Sequence, residues 1–291
     1  AIALSLGLVG IHASAYPINF IYQWNSGTQE GVLQVQFKDT AHLDLQAVRE
    51  RLRKRFAREM PDLQVSFEPS DIVSRVMSFG ASTPIEVAVS GPNLADDRAF
   101  ADKVRTKLKT LPMLRDVQLG QPLDYPSVGV TIDRERAGVL GYTANDVSRA
   151  LTPATSSSRF TQPIYWAAAN GVAYQVQVQI PQRRMTSVED VRNVPVAGDG
   201  GRSTLLRNVA AVRPGTVVGE YDRYNMARMI TVTANIEGAS LGNAAEAVKQ
   251  AVAKLGEPPA KASIAIRGEV QPMTELLGAL RVGLVLSVVV I

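Results

Sequence analysis

Two acidic pairs and a serine-rich loop are the stretches of this sequence whose residue types could support catalysis. Neighbouring carboxylates such as Asp96/Asp97 and Glu189/Asp190 could act as general acid and base, and a serine of TSSSRF (155–160) could act as a nucleophile. Both acidic pairs fall in the first turns of predicted helices, where the helix dipole favours negative charge. No base accompanies the serines to activate one, so the residues favour a loop over a catalytic centre.

Phosphate and metal chemistry find equally little support. The GDGG stretch at 198–201 lacks the Lys-Ser/Thr of a phosphate-binding loop and instead predicts a hairpin turn. The sequence has no cysteine, its two histidines (His12 and His42) are not at ligand spacing, and its seven methionines are scattered. Thiolate catalysis and cysteine zinc sites are excluded, and a catalytic triad or histidine metal site is disfavoured. We therefore expect no enzymatic activity and no cofactor.

Length and charge favour a folded protein without a nucleic-acid partner. The 291 residues allow two or three domains, and 46% hydrophobic with 20% charged residues is a globular composition. The net charge is +4 with a pI of about 9.4, and the basic residues are spread out. The densest basic stretch, 49–59, includes Leu52 and Phe56 at helical spacing, so it indicates the solvated face of an amphipathic helix.

The elements that would position any site form a strand–helix–strand unit that recurs three times, at 31–69, 84–120 and 229–268. Each unit is too small to bury both faces of a sheet alone, so the units must pack together. Strand alternation places Val65 and Phe67 on one face of a strand at 63–69. It likewise places Thr231 and Thr233 on one face of the strand that begins at Met229.

Residues 126–218 do not follow the strand–helix–strand pattern and predict an insertion that interrupts the second unit. They include a helix capped by Thr143, an alternating strand at 171–181 and the GDGG turn.

A second unusual stretch is the loop at 10–30, which is rich in aromatic residues. Such a loop either lines a pocket or interface, or lies over its own core.

The final 16 residues, 276–291, form a mainly apolar run with one charge, Arg281. A membrane-spanning helix needs about 20 apolar residues, so this run predicts either the first part of a membrane span or a short core helix. The basic residue near its start favours the span. The N-terminus has no signal-peptide pattern and indicates an apolar strand entered in the middle.

Several stretches together resemble the second periplasmic segment of resistance–nodulation–division (RND) transporters, in the hydrophobe/amphiphile exporter branch. The stretches are MSFGASTPIEVAVSGPN (77–93), DRERAGVLGYTANDVSRAL (133–151), EYDRYNMARMITVTANIEG (220–238) and IRGEVQPM (266–273). The resemblance implies an α+β fold of repeated strand–helix–strand porter subdomains with an inserted α+β docking subdomain, ending in the start of a transmembrane helix. The implied segments are a first porter subdomain at 1–80, N-terminally incomplete, a second at 81–125 and 219–274, docking at 126–218, and the membrane helix from 275 to 291.

The resemblance also implies a function and a site. It implies the substrate-binding and docking portion of a proton-driven, homotrimeric exporter of the bacterial inner membrane, with this segment in the periplasm. Partners would be an amphiphilic small molecule, a periplasmic adaptor protein and an outer-membrane channel. The implied cleft residues are Val65, Phe67, Gln118, Gly120, Thr231 and Thr233, and the implied switch loop carries His12, Ser14 and Tyr16.

The residues leave two other functions open. A heavy-metal exporter of the same superfamily is expected to place a methionine set in the cleft, and none of the implied cleft positions is methionine. A soluble periplasmic binding or adaptor protein could also be built from small α/β units. Further apolar sequence after Ile291 would favour the transporter, and a charged stop would favour the soluble protein.

Overall fold

The computed structural model describes residues 2–10, 29–38, 43–68, 78, 80–158 and 164–290. The chain divides into two compact units, the first formed by Ala1–Leu123 with Gly219–Ile291 and the second by Asp124–Val218. The insertion predicted at 126–218 and the second unit thus share their C-terminal boundary and differ by two residues at the start. That this unit is a docking subdomain stays a prediction.

The first unit is built on a five-stranded antiparallel sheet. Its strands are β3 (Ile85–Ser90), β4 (Leu114–Leu119), β11 (Asp222–Tyr224), β12 (Ala227–Ile236) and β13 (Ser263–Gly268). The long β12 pairs with β3 along one edge and with β11 and β4 along the other, and β13 pairs with β3. Two of the three strand–helix–strand units predicted from the sequence therefore contribute to one sheet.

Two helices cover one face of this sheet. Helix α2 (Leu94–Leu108) contacts both β12 and β3, and α6 (Leu241–Ala253) contacts α2. The buried side of β12 carries Ile230, Val232 and Ala234, each at most 1% exposed. Strand alternation therefore leaves Thr231 and Thr233 on the opposite face. The predicted caps form: Asn93 accepts a hydrogen bond from the Ala95 amide, and Ser240 accepts one from the Asn243 amide.

The remaining parts of the first unit are a hairpin, a helix and an irregular segment. Strands β1 (Ile2–Val9) and β2 (Gly31–Phe37) pair antiparallel, and α1 (Leu45–Glu59) begins at the Asp44 cap. The strand predicted at 63–69 is wrong, because residues 63–68 form no strand. Within this segment the Leu63 amide donates to the Met60 carbonyl, and the Phe67 amide donates to a side chain instead of a neighbouring strand.

Helix α7 (Val270–Val290) continues directly from β13. Its 21 residues are long and apolar enough to cross a membrane, and it is the one helix of that kind within the described ranges. The apolar window of the helix is exposed along its length, as expected for a surface that faces lipid or another protein segment. Length and composition are the basis for treating α7 as the start of a span.

The second unit has a hydrophobic core of its own. Strands β5 (Tyr125–Ile132) and β10 (Ala210–Val217) pair antiparallel from Tyr125 opposite Val217 to Ile132 opposite Ala210, which brings the ends of the unit together. The core gathers side chains from these strands and from α3 (Arg134–Val139), α4 (Ala144–Thr155) and α5 (Val188–Arg192), with Val196 and Leu206 fully buried.

The second unit also contains two short hairpins. Strands β6 (Ile164–Ala167) and β7 (Ala173–Val176) form one, and β8 (Pro195–Ala197) and β9 (Ser203–Leu205) form the other. The turn between β8 and β9 holds the GDGG stretch, with φ of +73° at Gly200 and +76° at Gly201. The hairpin predicted from the glycines is therefore confirmed.

Candidate functional site

Four of the predicted cleft residues lie together on the face of the sheet that α2 and α6 leave free. Thr233 stands opposite Gln118 in the β12–β4 register. The Gly120 amide donates to the Thr231 carbonyl at 2.9 Å, and a Cβ at Gly120 would collide with the Thr231 hydroxyl. A glycine at position 120 is thus what allows the chain to pass beside Thr231. We call this surface the polar face and define it by Gln118, Gly120, Thr231, Thr233 and Asn235.

The two threonines of the polar face are closed off in this conformation. Thr231 is 4% exposed and Thr233 is 3% exposed, although their alternation in the sequence predicts hydroxyls that meet water or a ligand. The Thr233 hydroxyl donates to the Gln118 carbonyl at 3.5 Å. A ligand would reach these hydroxyls only after covering residues move, and their role in binding stays a prediction.

Two polar residues that are not among the predicted cleft residues extend this face. Asn235 follows Thr231 and Thr233 at the same alternation and is 7% exposed, so continuing the pattern by two residues would have identified it. Gln121, 4% exposed, accepts from the Thr231 amide at 2.9 Å and donates to the Asp222 carboxylate. No local signal marks Gln121, because its role depends on strands distant in sequence.

Asp116 is the most highly connected of these residues. Its Oδ1 accepts from Arg53 Nε at 2.8 Å, and its Oδ2 accepts from Arg53 Nη2 at 2.7 Å. The same Oδ2 accepts from Asn235 Nδ2 at 2.7 Å and from the Phe67 amide at 3.4 Å. Charged hydrogen bonds of this bidentate kind are among the stronger ones in proteins. A single carboxylate therefore joins α1, the segment 63–68 and the sheet.

Phe67 and Val65, the other two predicted cleft residues, are both half-buried. The Arg53 guanidinium lies 4.9 Å above the centre of the Phe67 ring, and the adjacent Ser66 hydroxyl accepts from Asn235 Nδ2 at 3.3 Å. Phe67 is thus linked to the polar face through Arg53 and Asp116. The predicted switch-loop residues His12, Ser14 and Tyr16 lie outside the described residues.

The buried carboxylate of Glu86 lies on the same side of the sheet as the polar face. Glu86 stands opposite Thr233 in the β3–β12 register and is 8% exposed. Arg267 Nε lies 3.6 Å from Glu86 Oε1, and the Arg267 guanidinium stacks 4.5 Å from the Tyr224 ring. Burial raises the pKa of Glu86, the positive charge of Arg267 opposes this effect, and nearby Asp222 adds to it. The local charge therefore depends on pH.

The acidic pairs noted in the sequence have structural roles. Asp190 accepts hydrogen bonds from Ser187 and Thr186 at the start of α5, and these bonds lower its pKa. Asp96 accepts from Asn93 Nδ2 at the start of α2. Within the described part of the chain, no cluster of three or more His, Asp or Glu side chains could hold a metal ion. The positions of Asp190 and Asp96 are therefore explained by contacts at the starts of helices, and Glu189 pairs with Arg192.

Asp97 is different, and it predicts a pH-dependent stability. It is 2% exposed, its Oδ1 has no hydrogen-bond partner, and burial followed by the charge of Asp96 raises its pKa, against the opposing charge of Arg228. A carboxyl group with a raised folded-state pKa contributes stability that is present below its unfolded pKa and lost as pH rises through the folded pKa. We expect Asp97→Asn to raise the unfolding temperature of the detergent-solubilised protein at neutral pH.

The measurement is a series of thermal unfolding curves from about pH 4, close to the unperturbed aspartate pKa, up to about pH 8. The gain of Asp97→Asn over the wild type should shrink as pH falls, because the wild-type carboxyl group becomes protonated. Asp102→Asn serves as the control, because Asp102 lies on the same helix but is only half-buried and its carboxylate pairs with Arg105. An equal gain at every pH would show that charge burial at Asp97 is not the cause.

Comparison with known proteins relates this chain to a family of efflux transporters. The model of the AcrB/AcrD/AcrF family matches residues 18–291. Multidrug resistance protein MdtC of Yersinia enterocolitica is 25% identical over 239 residues, covering 80% of this chain and 22% of that protein. Cation efflux system protein CusA of Escherichia coli O157:H7 is 27% identical over 142 residues, covering 48% of this chain and 13% of that protein.

Two solved structures share the fold. Both are crystal forms of a heavy metal efflux pump. Form I has a TM-score of 0.76 at 21% identity, covering 99% of this chain and 29% of that one, and form II has a TM-score of 0.69 at 23% identity, covering 91% and 28%. The chain thus spans less than a third of each of these similar proteins.

Proposed function

The chain belongs to the AcrB/AcrD/AcrF family of RND efflux transporters, and we propose that it is the periplasmic substrate-binding and docking portion of a proton-driven exporter of amphiphilic small molecules. The observation that carries this proposal is the composition of the polar face and its surroundings. Thr231, Thr233 and Gln118 provide uncharged polar groups, and Phe67, which is linked to Asn235 of this face through Asp116, provides an aromatic side chain. Such a surface suits bulky molecules with both apolar and polar parts.

The proposal assigns a role to each part of the chain. Residues 1–80 are the first porter subdomain, residues 81–125 with 219–274 are the second, and residues 126–218 are the docking subdomain that meets an adaptor protein and an outer-membrane channel. From about residue 275 the chain enters the bacterial inner membrane in α7, and the remainder lies in the periplasm. The exporter works as a homotrimer. Membership of a transporter family favours an exporter over a soluble binding or adaptor protein.

Export of heavy-metal cations is the second candidate, because CusA and a heavy metal efflux pump are among the similar proteins. The structure gives one observation against it. Met229 Sδ, a soft-metal ligand type at the start of β12, accepts a hydrogen bond from Arg267 Nη1 at 3.2 Å. The positive charge of Arg267 next to this sulfur opposes the approach of a cation. The amphiphile exporter is therefore the better-supported function.

Phe67→Ala in the intact transporter tests the proposal. We expect the efflux of a bulky aromatic dye to fall by about fivefold, since a lost aromatic contact is worth ~1 kcal/mol. Transporter abundance in the membrane should stay constant, and resistance to silver or copper ions should not change. Dye efflux is measured by fluorescence in cells that carry no other dye exporter.

Phe56→Ala is the matched control, because Phe56 is also half-buried but lies on α1. It should leave dye efflux unchanged at equal abundance. If Phe67→Ala instead lowers abundance and costs the ~3–5 kcal/mol typical of emptying a core phenylalanine site, Phe67 is a core residue and the binding assignment fails. Loss of metal resistance with unchanged dye efflux would favour the cation exporter.

A further inference from the structure

The segment 63–68 reaches the sheet through side-chain contacts. Its Phe67 amide donates to Asp116 Oδ2, and its Ser66 hydroxyl accepts from Asn235. No strand pairing fixes residues 63–68 to a neighbour. The contacts of Ser66 and Phe67 with the sheet therefore involve specific side chains, and Asp116 takes part in them directly or through Asn235.

The backbone at Asp116 has an unusual conformation that helps to direct its side chain. Asp116 has φ of +53°, in the left-handed region, where aspartate is better tolerated than most residues. The β4–β12 register also shifts between Thr233 and Asn235, which marks an irregularity in the ladder at this point. Bulges of this type redirect a side chain from the regular alternation. The carboxylate thereby meets donors from three separate parts of the chain.

Arg53 completes the arrangement from the side of α1. Its side chain is 14% exposed and that of Asp116 is 5% exposed, so the ion pair is largely shielded from water. Arg53 Nη1 also donates to Glu50 Oε1 at 2.6 Å, which holds the guanidinium in one orientation. The Arg53 guanidinium then lies over the Phe67 ring. Neutralising Asp116 would leave donors from Arg53, Asn235 and Phe67 facing a group that can no longer accept them all.

We infer that Asp116 is a positioning residue: its carboxylate seats the segment 63–68 against the polar face and so determines where Phe67 stands. The consequence for transport rests on the proposed function, in which Phe67 contacts the substrate. The seating itself does not depend on that function. The two claims can therefore be tested separately.

Disulfide formation between two introduced cysteines measures the seating directly. The 291 residues contain no cysteine, so Ser66→Cys with Asn235→Cys adds a reporter pair at the point where the two side chains meet. The pair removes the contact of Asn235 with Asp116, so it reports on the contacts of Asp116 that remain, with Arg53 and with the Phe67 amide. Ser90→Cys with Ser263→Cys is the matched control pair, because these residues stand opposite each other on β3 and β13. Both pairs are placed in the intact transporter, with cysteines outside this segment replaced, and oxidised in membranes.

Asp116→Asn is then added to each of the two cysteine variants. Asparagine is chosen because it keeps the shape of the side chain and tolerates left-handed φ. We expect the 66–235 bridge to form about tenfold more slowly, as suits the loss of a charged hydrogen bond, and the 90–263 bridge to form at an unchanged rate. Equal rates at 66–235 with and without Asp116→Asn would overturn the inference. So would a 66–235 pair that never forms a bridge, or a slowing of both pairs together.

Transport kinetics without the cysteines give the second reading. Asp116→Asn should raise the dye concentration that gives half-maximal efflux and leave the maximal rate unchanged, since the segment is displaced while the transport cycle remains. Slower 66–235 bridging with unchanged dye efflux would support the positioning role of Asp116 and contradict the proposed contact between Phe67 and substrate.

Discussion

Gly268→Ala is expected to destabilise the five-stranded sheet by about 3 kcal/mol or more, because backbone strain and a steric clash act at the same position. Gly268 has φ of +82°, a conformation that residues with a Cβ rarely adopt. A Cβ there would lie 2.5 Å from the Pro84 carbonyl oxygen and 3.0 Å from the Thr83 carbonyl oxygen. These obstacles are backbone atoms, so they cannot rotate away as a flexible side chain could.

The position of Gly268 makes this change informative about the site. Gly268 ends β13 opposite Ile85 of β3, and the next amide, that of Glu269, donates to the Pro84 carbonyl at 3.0 Å. Helix α7 begins one residue later. Relieving the clash would move the start of β3 relative to α7, and β3 carries Glu86 beside the polar face.

Thermal or urea unfolding of the detergent-solubilised protein gives the measurement. Gly242→Ala is the control, because Gly242 lies in α6 with no atom near its missing Cβ. Alanine is the better helix former, so this variant should be stabilised by up to ~1 kcal/mol. If the two glycine variants unfold alike, neither strain nor the clash at position 268 governs stability.

Local patterns predicted the sheet and its helices well. The alternation of apolar residues in β3 and β12, and the caps at Asn93 and Ser240, are encoded within a few residues, so the sequence identifies them directly. The same alternation separates Thr231 and Thr233 from the helix-covered side of β12. It carries no information on whether the outward side is open, and here both threonines are buried.

The segment 63–68 and Asp116 show where such reasoning stops. Leu63, Val65 and Phe67 alternate as a strand would, yet their segment is held by a carboxylate 49 residues from Phe67. A left-handed aspartate within β4 has no signature in the neighbouring residues, because its conformation is selected by donors from Arg53 and Asn235. Contacts between distant parts of the chain decided the geometry of the candidate site.

The inserted unit illustrates the opposite situation. The sequence predicts an insertion here because the strand–helix–strand pattern is interrupted. The pairing of β5 with β10 explains physically why a stretch of this length can be inserted. Two adjacent antiparallel strands bring the ends together, so the host chain can continue after the insertion at Gly219, whose amide donates to the Pro122 carbonyl. An insertion closed in this way should unfold as a cooperative unit.

Leu206→Ala is expected to cost about 2–5 kcal/mol, and to do so within the second unit alone. Leu206 is fully buried, its amide donates to the Val194 carbonyl at 2.9 Å, and its side chain lies in the core with Val147 and Val196. Truncation removes apolar contacts and leaves a cavity that the surrounding residues fill only in part. The first unit has separate buried residues, such as Val87 and Val232, that this change does not touch.

Hydrogen–deuterium exchange of the intact protein distinguishes a confined loss from a general one. Peptides from 124–218 should exchange faster in Leu206→Ala, whereas peptides that contain Val87 or Val232 should keep their protection. Val139→Ala is the control, since Val139 lies in the same unit but is 88% exposed, and it should alter neither set. Limited proteolysis of the variant should then cut within the second unit first. If both sets of peptides lost protection together, the two units would share one folding transition, and the independence of the inserted unit would be refuted.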